Sequence, residues 1–170
     1  MRVFMRVFAF SLSAFSAELS WAANSPLFGP DGFAFSGKWN CSGHIPGQNK
    51  DRVHRALYEG RLVSNRTWIE LSQKDLEPGG YDATFLFGYD SNKKEVVNFI
   101  GDNKGFAVMT SPGWQGRSIT LTAEKASYPD PVPLSRVTYQ YKSADAFSLV
   151  WESQEDGKWR PDDTLDCVRP

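Results

Sequence analysis

The sequence predicts an all-β protein, an antiparallel up-and-down barrel of about ten strands. Three observations lead there. From Phe35 onward, short segments rich in β-branched and aromatic residues are separated at regular intervals by Gly, Asn, Asp and Pro. Many of these segments alternate apolar and polar residues with period two, the pattern of a sheet with one buried face. A meander this long would also leave two outer strands as unpaired edges, and closing the sheet into a barrel removes them.

The expected strands lie near residues 36–43, 53–63, 66–73, 82–89, 94–100, 105–111, 117–123, 134–142, 146–153 and 158–168. Turn-forming residues separate them: Ser64-Asn65, Asp90-Ser91-Asn92, Gly101-Asp102-Asn103, Ser143-Ala144-Asp145 and Glu155-Asp156-Gly157. The connections therefore read as hairpins. Phe85, Phe87 and Tyr89 share one side of a strand, as do Val97 with Phe99, Phe106 with Val108, and Ile119 with Leu121. Further on, Val137, Tyr139 and Tyr141 share a side, followed by Phe147, Leu149 and Trp151. Residues 24–33 are expected to form a turn or short plug over one barrel end. Residues 123–133, which include Pro129, Pro131 and Pro133, read as a long irregular loop.

The start of the chain reads as a signal peptide over residues 1–22. Arg2 and Arg6 precede the apolar run from Val7 to Phe15, and Ser20 and Ala22 are the small residues a cleavage site requires. That run is shorter than the ~20 residues that span a bilayer, so no stable membrane insertion is expected. Removing the segment leaves 17 basic and 19 acidic residues. With no basic stripe among them, no nucleic-acid partner is expected. Residues 23–170 form one domain. Its two cysteines, Cys41 and Cys167, would meet an oxidising compartment after export and are expected to close as a disulfide. The expected location is secreted or periplasmic; oligomeric state is left open.

Gly37-Lys38-Trp39, at the head of the first strand, resembles the Gly-x-Trp signature of lipocalins and related calycins. The resemblance implies that Gly37 and Trp39 form the closed barrel base beneath a basic side chain from the last strand, a part that Arg160 or Arg169 would play. Trp-x-Cys at 39–41, Gly88-Tyr89-Asp90, the Thr110 to Trp114 run, Asp156-Gly157-Lys158-Trp159 and the terminal cysteine extend it over most of the mature chain. In these features the chain resembles secreted bacterial proteins of unknown function with lipocalin-like barrels. That likeness implies a fold and no activity.

The expected inward face is Phe85, Phe87, Phe99, Val108, Ile119, Leu121, Tyr139, Tyr141, Phe147, Leu149 and Trp151, with Trp114 at a turn beside the ligand entrance. Such a surface suits a small hydrophobic or amphipathic molecule held by burial and oriented by few hydrogen bonds. Catalytic signals are sparse. There is no Gly-x-Ser-x-Gly elbow, two isolated thiols do not make a metal site, and no cofactor is expected. Haem-binding barrels of the nitrobindin type resemble this architecture but carry an axial histidine late in the chain, whereas no histidine here follows His54. His44 and His54 read as surface residues. An acid-base group of Tyr139, Tyr141 and Glu70 is the alternative catalytic expectation. The reading that follows is an exported carrier without covalent chemistry. Its rivals are an enzyme with its site at the barrel mouth, and an interaction module with a filled core.

Overall fold

The computed structural model describes residues 25–47, 50–128 and 133–170. The expected signal segment 1–22 lies outside the described residues, as do Pro129 and Pro131 of the expected loop. Ten strands follow one another: β1 (Gly37–Ile45), β2 (Arg52–Val63), β3 (Trp68–Glu77), β4 (Asp82–Asp90), β5 (Glu95–Asp102), β6 (Phe106–Ser111), β7 (Ser118–Ser127), β8 (Ser135–Ser143), β9 (Ala146–Glu155) and β10 (Lys158–Val168). Each pairs antiparallel with its sequence neighbour, and β1 pairs with β10, so the sheet is a closed up-and-down barrel.

Several strands run further than their sequence pattern indicated, β3 to Glu77 and β7 to Ser127 by the most. β7 continues to Ser127, through the start of the stretch that reads as an irregular loop. A register shift opposite Val108 and Met109 passes over Glu124, and this bulge lets the strand keep pairing with β6 after its alternation breaks. β5 continues through Asp102, because the Asp102 carboxylate accepts hydrogen bonds from the backbone N–H groups of Lys104 and Gly105 (2.7 and 2.8 Å) and moves the turn one step onward.

The seam carries the disulfide. Cys41 and Cys167 are direct register partners on β1 and β10, and the bond joins them across the closure. Gly43 sits one inward position further along β1, paired with Leu165 on β10 and His54 on β2. A Cβ there would run into the Thr164 carbonyl, so only glycine permits the close approach of β1 and β10.

One end of the barrel is shut by the chain that precedes β1. Pro30–Gly32 forms a single 3-10 turn, and Leu27, Phe33 and Phe35 from this segment are buried. Phe35 stacks on Phe87 (5.7 Å) and meets Tyr139 and Phe147 edge-on at 5.0 and 5.2 Å. Trp39, 1 % exposed, packs edge-on against Phe147 at 4.9 Å, and its indole N–H donates to the Phe35 carbonyl at 2.8 Å. The basic side chain over Trp39 is Arg169, whose guanidinium carbon lies 4.1 Å from the ring centroid. Arg160 is thereby corrected. It lies at the far end of β10, exposed and paired with Glu155, because eight strand residues separate it from Arg169 and the base. Gly37 has φ +93°, and a Cβ on it would collide with the Arg169 guanidinium, which gives the glycine of the Gly-x-Trp motif two physical reasons.

The disulfide closes a loop spanning 126 positions and acts on the unfolded chain as well as the seam. Replacing both cysteines by alanine should lower stability by about 2–5 kcal/mol. The measurement is urea unfolding of the oxidised protein beside the double variant; equal midpoints would show that strand pairing alone holds the closure.

Candidate functional site

The inward face changes character along the barrel axis. Toward the plugged end it is made of aromatic rings in mutual contact. Phe87, Tyr139, Tyr141 and Phe147 all meet Phe33 or Phe35, while Phe85 stacks on Tyr58 at 6.4 Å, and Leu121 is fully buried among the same core residues. This half is packed core. Trp114 belongs to it too. Its ring meets Phe33 at 6.0 Å and its N–H donates to the Leu27 carbonyl at 3.3 Å, which places it under the plug and not beside an open mouth.

Two candidate lining residues face outward. Phe99 is 46 % exposed, and its register partners Leu86 and Val108 share the outer face with it. The inward residues of β5 are Val96, Asn98 and Ile100, and those of β6 are Ala107, Met109 and Ser111. On both strands each parity carries apolar side chains, so alternation alone did not fix the face. Trp68 covers Gly88 from outside and its ring lies 6.4 Å from Phe99, which shelters part of that outer row. Glu70 is also outside, paired with Arg61 at 2.7 Å, so it does not join Tyr139 and Tyr141.

Toward the other end the inward residues include many small and polar ones: Ala83, Ala107, Ala123 and Ser153, with His54, Gln73 and Asp75, beside Ile100. Trp151, the remaining candidate, sits among them, half-buried and paired with Asp163. A continuous polar chain crosses this half. The Tyr58 hydroxyl donates to Gln73 Oε1 (2.5 Å), and Gln73 Nε2 donates to Asp75 Oδ1 (2.7 Å). Asp75 Oδ1 stands 3.0 Å from His54 Nε2, and His54 Nδ1 lies 2.8 Å from Asp163 Oδ1.

Sequence order and register build this chain. Tyr58 and Gln73 are direct partners on β2 and β3, and Asp75 pairs with Ala56, diagonal to His54. Asp163 reaches His54 past Gly43, which contributes no side chain between them. A register shift between Pro161 and Asp163 makes Asp162 the extra residue, and this bulge lets both consecutive carboxylates turn inward: Asp163 to His54, and Asp162 to accept from the Ser153 hydroxyl at 2.9 Å. Nearby, Asp102 Oδ2 accepts from both Tyr81 (3.2 Å) and Tyr128 (3.1 Å), tying three loops of the rim together.

His54 is 2 % exposed, which corrects its reading as a surface histidine. Its neighbours held the signal: Arg55, Glu59 and Arg61 put the odd positions of β2 in water, which leaves His54, Ala56 and Tyr58 inside. Burial by itself would lower the His54 pKa, but the contacts with Asp163 and Asp75 outweigh it and raise the value to about 9. At neutral pH the ring is therefore an imidazolium: Nδ1–H donates to Asp163, Nε2 lies 3.0 Å from Asp75 Oδ1 without hydrogen-bond geometry, and a protonated ring cannot take a proton from a substrate. Burial also raises the pKa of Tyr58 and Tyr139, so both stay neutral hydroxyls.

No protein-family model matches this sequence, and no curated protein matches it. Architecture and site geometry are thus the observations that bear on function. The closed ten-strand antiparallel barrel is compatible with a lipocalin-like fold. Among the described residues no helix is long and apolar enough to cross a membrane, and no group of three or more His, Cys, Asp or Glu is arranged to hold a metal ion. A groove of about 700 Å³ crosses the outer faces of β1 to β5, with Lys38 and Lys74 beside Glu59 and Asp82; it lies on the other side of the sheet from the His54 chain and shows no charge preference.

A histidine whose folded pKa is raised from 6.5 to about 9 contributes stability that is fully present below pH 6.5 and lost as pH rises through about 9. Stability should therefore fall by a few kcal/mol between these limits. The His54→Leu variant should lose that slope and, with Asp75 and Asp163 left buried without their cation, should be about 3–5 kcal/mol less stable at pH 7. Denaturant melts across pH, with the imidazole resonances of His54 followed by NMR, would test both; a His54 titration near 6.5 would contradict the clamp.

Proposed function

We propose that this chain is an exported, lipocalin-like binding protein that holds a small amphipathic molecule in the open half of its barrel. The observation that carries the reading is the division of the interior. Aromatic rings and a plug fill one end, while alanines, a serine and a hydrogen-bonded polar chain line the other. Few, well-placed polar groups above an apolar floor are the usual makeup of a small-molecule site.

The disulfide supports export, because such bonds persist in oxidising compartments. The Gly37 and Trp39 base beneath Arg169 supports the lipocalin likeness. An acid-base enzyme at the mouth has less support, since the buried His54 is ion-paired with both Asp75 and Asp163 and is held protonated by them.

Ala107→Trp tests the location. Ala107 is inward and buried near the open end, so the indole would occupy the chamber and leave the plugged core untouched. Native mass spectrometry of protein purified from its own host should find a small molecule on the wild-type chain and none on the variant, with both folded by near-UV circular dichroism. Equal occupancy of the two would move the site out of the barrel.

A further inference from the structure

Among the described residues, four polar side-chain atoms inside the barrel make no hydrogen bond: His54 Nε2, which is ion-paired with Asp75, and Oδ1 and Nδ2 of Asn98 and the hydroxyl of Tyr139. Asn98 and Tyr139 are completely buried. Leaving such groups unsatisfied costs about 1–3 kcal/mol each, and buried polar atoms in native proteins nearly always have a partner. The two residues flank one ring. Asn98 is the register partner of Phe87 on β4, and the Tyr139 ring lies 5.9 Å from that of Phe87. Phe35 of the plug touches Phe87 from the closed side, so Asn98 lies beside the inner edge of the aromatic cluster.

We propose that Asn98 and Tyr139 form the polar subsite at the floor of the chamber, and that they recognise a neutral carboxamide or lactam edge on the ligand. The inference rests on the reading of the open half as a ligand chamber. Asn98 presents a donor and an acceptor side by side, and both are satisfied together only by a group that returns an acceptor and a donor in one plane. A carboxylate would set an anion against Asn98 Oδ1. It would also meet the net negative charge of Asp75 and Asp163 about a single imidazolium. An ammonium would leave Asn98 Nδ2 facing a cation, and a lone hydroxyl meets one of the two atoms at a time. Tyr139, neutral and able to donate or accept, supplies the third hydrogen bond.

Three probes with one aromatic body separate these cases: phenylacetamide, phenylacetate and 2-phenylethylamine, titrated into the oxidised, ¹⁵N-labelled full chain. Phenylacetamide should bind at least tenfold more tightly than the other two and shift the Asn98 side-chain NH₂ resonances. Asn98→Leu should weaken it about 10- to 100-fold while raising the melting temperature of the unliganded protein, because an orphaned amide is removed. Tyr139→Phe keeps the ring packing and should weaken binding by about tenfold, which provides a second variant if Asn98→Leu does not fold. Equal affinity for the three probes, or unchanged affinity in both variants, overturns the subsite and leaves the chamber standing. If none of the three binds, the subsite is overturned, and the neutral dye N-phenyl-1-naphthylamine then decides the chamber: its binding preserves that reading, its failure to bind removes it.

Discussion

Pairing of β1 with β10 is the constraint on which the rest of this structure depends. Nine hairpin connections bring ten strands into one sheet, but only the seam fixes how many inward positions share one interior and which of them meet across it. Cys41 and Cys167 lie in register at that seam, so the covalent bond selects the pairing that places Arg169 over Trp39 at one end and Asp163 beside His54 at the other. A slip by one residue would turn every side chain of β10 to the opposite face. It would remove the cation from the base and a carboxylate from the polar chain together. Gly43 completes the constraint, because the two strands approach too closely there for any side chain.

Closure also forces a choice about what fills the interior. At the plugged end the answer is apolar burial, with Phe33 and Phe35 entering from outside the sheet to complete a cluster that the strands alone do not fill. At the other end the chain places a cation between two carboxylates. Burying an isolated charge is costly, and a buried ion pair roughly breaks even against apolar packing. The His54 group is therefore weakly justified as a source of stability. What it does provide is a fixed polar wall: Tyr58, Gln73, Asp75, His54 and Asp163 each constrain the next, so their donors and acceptors are held in place before any ligand arrives.

The architecture was legible in the sequence because hairpin turns and period-two alternation are local signals, and ten strands were placed within a few residues. The faces of β5 and β6 were not, since Val97 and Phe99 compete with Val96 and Ile100, and Val108 competes with Met109. A polar Asn98 between two apolar neighbours favours the wrong parity unless a partner strand settles it. The bulges at Glu124 and Asp162, two of the four register shifts in the sheet, were invisible for a related reason: an inserted residue breaks alternation in the same way as a loop does. Arg160 and Arg169 were equivalent candidates along one strand until register assigned the base to Arg169. His54 was different. The charged residues around it marked its face, but a histidine beside two arginines reads as solvated unless Asp75 and Asp163, 21 and 109 positions away, are known to converge on it.

The polar residues of the interior fall into two kinds, and the difference bears on function. Those of the His54 chain are linked to one another by hydrogen bonds and ion pairs, so their arrangement is explained by the fold itself. Asn98 and Tyr139 are not explained in that way. Leucine at 98 and phenylalanine at 139 would fit the same strands, keep the same register and remove the desolvation cost. A sequence that specifies its fold this consistently elsewhere, in its turns, its seam and its base, carries a local conflict beside the aromatic cluster at Phe87. Conflicts of that kind concentrate where a protein meets something other than itself. The unexplained polarity lies there, and under the proposed binding role it is where a ligand would supply what the fold leaves out.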